Sequence, residues 1–135
     1  MITRFQIGDS YSISKLFEEH EVLEFSQMSQ DGNPIHFDDE YASTTRFQKK
    51  IVQGPFVASL IGGILGSHLP GPGTIYISQN TRFLKPVFVG EKVTASVQIT
   101  RIRMDKPIMN LRTWVENENM EVVIDGEATI YYIGN

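Results

Sequence analysis

The chain predicts an α+β fold in which an antiparallel sheet wraps around one buried helix. Three observations lead there. Period-two alternation fills the second half, as where Val93, Ala95, Val97 and Ile99 alternate with Thr94, Ser96, Gln98 and Thr100. A segment apolar nearly all round, residues 56–65, precedes that half and calls for burial on every side. The chain has 135 residues, 41% of them apolar, which suits one core. Residues 1–135 are therefore read as a single domain.

The elements follow in order. Residues 9–17 alternate weakly and suit a first strand. Residues 18–28 place Val22, Leu23, Phe25 and Met28 among Glu19, His20, Glu21, Glu24 and Gln27, the pattern of an amphipathic helix. Asp31-Gly32-Asn33-Pro34 forces a turn after it. Residues 38–47 suit a short helix anchored by Tyr41 and Phe47, with Asp38, Asp39 and Glu40 in its first turn, where carboxylates favour the dipole. Gly54-Pro55 starts the buried helix, Pro being a start signal. The loop Leu69-Pro70-Gly71-Pro72-Gly73 ends it. Strands then follow around 75–80, 93–100, 109–115 and 128–132, most simply as an antiparallel meander.

Composition removes several function classes. Twelve Lys and Arg against 16 Asp and Glu give a net charge of −4, which offers no basic field for nucleic acid. The absence of cysteine removes a disulfide scaffold, a thiolate nucleophile and a Cys-type zinc site. The start, Met1 to Gln6, has no apolar core of signal-peptide length, and no run is long enough to span a bilayer. A cytoplasmic protein with no membrane partner is expected. No metal-ligand spacing, phosphate loop or nucleophile motif occurs.

The stretch from Ser29 to His36 puts a carboxylate, a carboxamide and an imidazole within six residues of a turning segment. Asp31 and His36 can converge there on one water, with Asn33 between them, and such a pair transfers protons. Each residue also has an ordinary reading: Asp31 as an Asx-turn residue, Asn33 as a turn residue, His36 as a satisfied, partly buried histidine. Gly54 precedes a helix whose first N–H groups are unpaired, and Pro55 has none, so the Gly54 N–H is a natural oxyanion donor. Gly62 and Gly63 sit inside a helix, where each costs about 1 kcal/mol relative to alanine. Close packing on a strand or room for a ligand chain would compensate. Lys49, Lys50, Arg82, Lys85, Arg101, Arg103 and Lys106 are candidate phosphate contacts or simply solvated charges. His20 and His68 have no obvious partner.

The run Asp31-Gly32-Asn33-Pro34-Ile35-His36, with Ala42 six residues on, resembles the hydratase 2 motif of the (R)-specific enoyl-CoA hydratases in the MaoC-like, hotdog-fold group. The similarity continues through Tyr41 to Phe47, Ile51-Val52-Gln53-Gly54, Leu69-Pro70-Gly71 and the stretch from Phe83 to Glu91, and so covers most of the chain. The resemblance implies a hotdog domain paired edge to edge as a homodimer. It implies reversible hydration of trans-2-enoyl-CoA to (R)-3-hydroxyacyl-CoA with no cofactor and no metal, the CoA thioester being the substrate. Asp31 and His36 match the catalytic pair, Asn33 the supporting asparagine and Gly54 the backbone donor to the thioester carbonyl. The acyl chain would run beside the buried helix near Gly62 and Leu65. Gln30, Gln53 and Gly62 depart from the usual glycine, histidine and serine. A hotdog acyl-CoA thioesterase, an acyl carrier protein dehydratase and a non-catalytic acyl-CoA binding module are the competing readings. The product would serve fatty-acid oxidation, polyhydroxyalkanoate supply or secondary metabolism alike.

Overall fold

The structure, a computed structural model, describes residues 4–134, so the first three residues of the segment read for a leader lie outside it. Five strands form one antiparallel sheet: β1 (Ser10–Leu16), β2 (Thr74–Phe83), β3 (Lys92–Ile102), β4 (Ile108–Glu116) and β5 (Val122–Tyr132). The spatial order is β1-β3-β4-β5-β2. Only β3, β4 and β5 make a meander. The simple meander expected for all late strands is therefore corrected at β2, which pairs with β5 at the far edge. Residues 84–91 carry the chain back across the end of the sheet to β3, and their backbone groups find partners on the way. The Leu84 N–H donates to Val123 O at 2.8 Å and the Gly90 N–H to Phe17 O at 2.8 Å.

The helices are α1 (Glu19–Ser29), α2 (Asp39–Ser43) and α3 (Gly54–Ser67), with a single 3-10 turn at Pro34–His36. Helix α3 lies across the sheet and buries Val57, Ile61, Ile64 and Leu65, a stripe at helical spacing. The stripe packs on Val97, Ile99, Leu111, Ala128 and Ile130, among others. Burial of α3 is one-sided, however. Ser59, Gly63 and Gly66 face outward, so the sheet covers one flank of the helix. A five-stranded sheet wraps only part of a helix, and on the other flank small residues face outward.

The glycine pair does not serve close packing. A Cβ at Gly62 would meet the Tyr76 ring at an ordinary 3.6 Å, and one at Gly63 would meet nothing within 4 Å. The glycine that packing does demand is Gly126 in β5, where a Cβ would stand 2.0 Å from the Asn80 carbonyl oxygen. The sheet row through Val97, Thr113, Gly126 and Thr81 passes through it.

Three apolar residues expected on buried faces are also corrected. Helix α2 ends at Ser43, and Ala42 is its buried residue, while Tyr41 is exposed. On α1 the buried positions are Val22 and Ser26, and Leu23 and Met28 are exposed. Phe25 is held instead by stacking on Phe56 of α3, at 4.7 Å between ring centroids. The acidic run reads as expected. Asp38 caps α2 by accepting the Tyr41 N–H at 3.1 Å, and Asp39 and Glu40 follow in the first turn.

These packings set opposite expectations for two alanine substitutions. Gly126→Ala drives a methyl into the β2 backbone and should lower stability by at least about 1–3 kcal/mol. Gly63→Ala fills open space on a helix and should raise it by about 0.5–1 kcal/mol. Thermal unfolding of the two variants checks both signs.

Candidate active site

The loop after α1 is built by its own side chains. Gln30 caps α1 in the left-handed region, at φ 63°, and turns the chain out of the helix. The Asn33 N–H donates to Asp31 Oδ1 at 3.0 Å, an Asx turn. Asn33 Oδ1 in turn accepts the Ile35 N–H at 3.3 Å and caps the 3-10 turn that Pro34 begins. The ordinary readings of Asp31 and Asn33 are thus both realised, and they aim the remaining carboxylate oxygen. Asp31 Oδ2 stands 3.4 Å from His36 Nε2, with the Asp31 side chain 40% exposed and that of His36 9% exposed.

His36 has a fixed tautomer. Its Nδ1 lies 2.8 Å from the Ile51 carbonyl oxygen. A carbonyl only accepts, so Nδ1 carries a proton and donates. Nε2 is then the nitrogen that faces Asp31 and is free to take or give a proton. Without a proton between them, Nε2 and Oδ2 both present lone pairs to the same small volume. A water placed there donates one hydrogen to each, which leaves its oxygen lone pairs pointing away from the pair.

The segment from Lys50 to Gly54 ties this loop to the rest of the fold. The Ile51 N–H donates to Ile35 O at 3.2 Å, beside the His36 contact. The Val52 N–H donates to Val87 O at 2.7 Å, and the Val89 N–H to Lys50 O at 3.1 Å, so the crossing segment grips it from the other side. The Lys50 ammonium is buried between Glu19 and Asp39 and joins the first turns of α1 and α2. The hydrogen bond to Glu19 raises the Lys50 pKa above the ordinary lysine value, the Asp39 pairing adding to it and burial opposing it. The buried Gln53 Nε2 donates to Val22 O at 3.0 Å and to Ser26 Oγ at 2.8 Å.

Gly54 opens α3, and among the described residues its N–H has no hydrogen-bond partner. The Phe83 ring lies against it: a Cβ at Gly54 would come 2.7 Å from Phe83 Cε1. A cleft of about 390 Å³ opens beside Gly54, walled by Phe47, Val57, Phe83 and Leu84, with Arg46 and Lys85 on its lining. Ile51 lines it as well, which links the cleft to the His36 carbonyl contact. Asp31 and His36 are not on its lining.

The other candidates lie elsewhere. Leu65 is packed in the core and Gly62 borders Tyr76, and neither lines the cleft. His20 sits between Glu18 at 3.3 Å and Glu24 at 3.9 Å. His68 stacks on Tyr11, ring centroids 4.4 Å apart. Among the cations, Arg82 pairs with Asp125, Lys85 with Glu121 and Arg103 with Asp105, leaving Lys49, Arg101 and Lys106 without an ion pair among the described residues. Those residues also hold no group of three His, Cys, Asp or Glu side chains placed for a metal ion.

Sequence reasoning missed Ile51, whose contribution is a carbonyl that no side chain announces. It also missed Arg46 and Phe47, which line the cleft from the segment before α3, and Phe83, which reaches Gly54 from the end of β2. Gln53 stood out only as a departure.

Comparison with known proteins identifies the family. Residues 4–120 match the model of the MaoC-like domain. The chain is 43% identical over 125 residues to the (R)-specific enoyl-CoA hydratase of Aeromonas caviae, covering 93% of each. It is 40% identical to the (R)-specific enoyl-CoA hydratase of Rhodospirillum rubrum, over 91% of this chain and 85% of that one. The structure superposes on the A. caviae (R)-hydratase described as involved in PHA biosynthesis with a TM-score of 0.95, covering 96% and 98% of the two chains at 42% identity. The chain belongs to the MaoC-like family, and its fold is the hotdog fold of the (R)-hydratases.

Gln30 carries a left-handed backbone immediately before Asp31, a conformation that costs a residue with a side chain about 1–2 kcal/mol. Gln30→Gly should therefore stabilise the protein by about 1 kcal/mol despite the greater freedom of the unfolded chain. Urea unfolding measures the shift.

Proposed function

We propose that this chain hydrates trans-2-enoyl-CoA thioesters reversibly to (R)-3-hydroxyacyl-CoA, as a hydro-lyase with Asp31 and His36 as its acid–base pair. The observation that carries the reading is the His36 Nε2 to Asp31 Oδ2 separation of 3.4 Å, with His36 Nδ1 committed to the Ile51 carbonyl. A binding module has no use for an imidazole whose one free nitrogen stands 3.4 Å from a carboxylate oxygen, close enough for one water to bond to both.

The chemistry follows from polarisation. The β-carbon of an enoyl thioester is electrophilic to the extent that its carbonyl oxygen takes up charge. The unpartnered Gly54 N–H, at the positive end of α3, is the donor for that oxygen. Such a donor contributes about 3–4 kcal/mol to the transition state elsewhere. Water held by Asp31 and His36 forms a C–O bond at the β-carbon and loses a proton to Asp31. A proton returns to the α-carbon on the same face, which balances the addition, with His36 orienting the water and sharing the return. Asn33, occupied with the Ile35 N–H, holds the loop. Addition of water changes no net oxidation state, so it needs no redox cofactor, and in this reading Asp31, His36 and the Gly54 N–H supply the proton transfers and the polarisation.

The acyl chain runs beside α3 past Gly62 toward Leu65, and the cleft at Gly54 accepts the thioester flank. Two copies pair along β2, a sheet edge whose Ile75, Tyr76 and Ile77 are exposed on both faces. The enzyme works in the cytoplasm and supplies (R)-3-hydroxyacyl-CoA, the compound class a polyhydroxyalkanoate-making cell consumes.

The decisive test follows the ultraviolet band of the conjugated thioester. Wild type should consume the band of crotonyl-CoA. Asp31→Asn, which keeps the Oδ1 acceptor of the Asx turn, should slow it by about 10²–10⁴-fold with the fold intact, and His36→Ala should do likewise. Full activity in either variant would remove that residue from the mechanism. Turnover should survive chelators unchanged. Sedimentation should show a dimer that an Ile75→Lys, Ile77→Lys variant splits.

A further inference from the structure

We infer that Gln53 is a positioning residue: its carboxamide fixes the segment bearing Asp31 relative to the Gly54 donor. The inference rests on the hydratase reading for the roles of those two groups. It rests on this structure alone for the tie between them.

Gln53 is 1% exposed and is the residue before Gly54. It occupies the cap position of α3, yet its side chain makes no bond to that helix. It reaches α1 instead, where Nε2 donates to Val22 O at 3.0 Å and Ser26 Oγ at 2.8 Å. Helix α1 ends at Ser29, and Asp31 follows within two residues. One side chain thus joins the segment of the proposed base to the segment of the proposed oxyanion donor.

Packing alone does not explain the choice of side chain. Gln53 Oε1 is buried with no hydrogen-bond partner. A methionine of similar size would fill the slot without an unpaired acceptor. Nor is the carboxamide needed simply to keep α1 in place. Phe25 stacks on Phe56 at 4.7 Å, and Glu19 pairs with the buried Lys50. Those contacts tolerate sliding: a ring stack is weakly directional, and the Glu19 side chain is exposed and long. The two amide hydrogen bonds are directional and short, so they set the axial position and rotation of α1. His36 is placed independently, through the Ile51 carbonyl two residues before Gln53. The turn bonds aim Asp31 Oδ2 at His36 Nε2, and the Gln53 amide sets where the α1 end of that turn stands relative to His36 and the Gly54 N–H.

The test uses the full chain and four forms of it: wild type, Gln53→Met, Ser26→Ala and Gln53→His. Loosening α1 misplaces Asp31 in the transition state and leaves the thioester's resting contacts alone. Gln53→Met should thus lower kcat for crotonyl-CoA by about 10–100-fold with KM essentially unchanged. Ser26→Ala should lower it less, and Gln53→His, which restores a ring N–H donor, should recover most of the loss. Long-range proton–nitrogen spectra of the histidine rings give a readout apart from activity. The wild-type His36 Nε2 signal should move on Asp31→Asn. In Gln53→Met it should already be displaced and respond weakly to that second change. Wild-type kcat in Gln53→Met would overturn the inference. So would a fall in kcat that tracks a fall in melting temperature while the His36 signal stays unmoved, since that assigns Gln53 to packing. If wild type hydrates neither crotonyl- nor octenoyl-CoA but the His36 signal still shifts in Gln53→Met, the hydratase reading fails and the tie stands.

Discussion

The grip on residues 50–54 is the constraint from which the site follows. Within five residues the chain offers the Lys50 ammonium to two helices, the Ile51 carbonyl to His36 and the Gln53 amide to α1, and it ends on the unpartnered Gly54 N–H. It is neither helix nor sheet until Gly54, apart from one isolated bridge between Ile51 and Phe88. A buried irregular segment must still satisfy its backbone groups. Here it does so by pairing with the 3-10 turn on one side and with residues 87–89 on the other. Backbone groups of a strand-like segment move far less than long side chains, so the His36 imidazole and the Gly54 N–H inherit that rigidity.

The strand order supplies the second of those partners. Were β2 to pair with β3 in a meander, a tight turn would join them and no segment would pass the sheet end. Because β2 pairs with β5, residues 84–91 must cross, and the crossing delivers Val87 and Val89 to Val52 and Lys50. It also brings Phe83 and Leu84 to the wall of the cleft beside Gly54. Edge placement of β2 and assembly of the cleft are two consequences of one topological choice. The same choice sets β5 against β2, where the Asn80 carbonyl oxygen lies where a Cβ at Gly126 would go.

In the turn that carries the proposed acid–base pair, Asp31 gives Oδ1 to the Asx turn and turns Oδ2 toward His36 Nε2, and His36 gives Nδ1 to Ile51. The structural reading of these residues and their proposed acid–base role are not rivals, because the turn bonds aim Oδ2 and Nε2 at one another. Left-handed Gln30 at the end of α1 adds local strain just before the carboxylate, a place where strain is common in sites that must hold an unusual geometry.

The sequence by itself determined what depends on near neighbours. Period two marked the strands, the Pro55 signal marked the start of α3, and Asp-Gly-Asn-Pro marked a turn that brings Asp31 toward His36 five residues on. Turn chemistry and hydrophobic period are local, and a single sequence records them. It could not show that β2 would leave the meander, because many pairings satisfy the same alternation. It misplaced Tyr41 and Met28 in a buried face, because an apolar residue declares a preference for burial and not a partner. It left the Gly62 and Gly63 pair open between close packing and room for a ligand chain, and gave no sign that the tightly packed glycine was Gly126. Above all it gave no sign of the Ile51 carbonyl or of where the Gln53 amide would reach. Every residue has a carbonyl, and which one meets His36 is decided only when α1, the crossing segment and the entry to α3 close on one another.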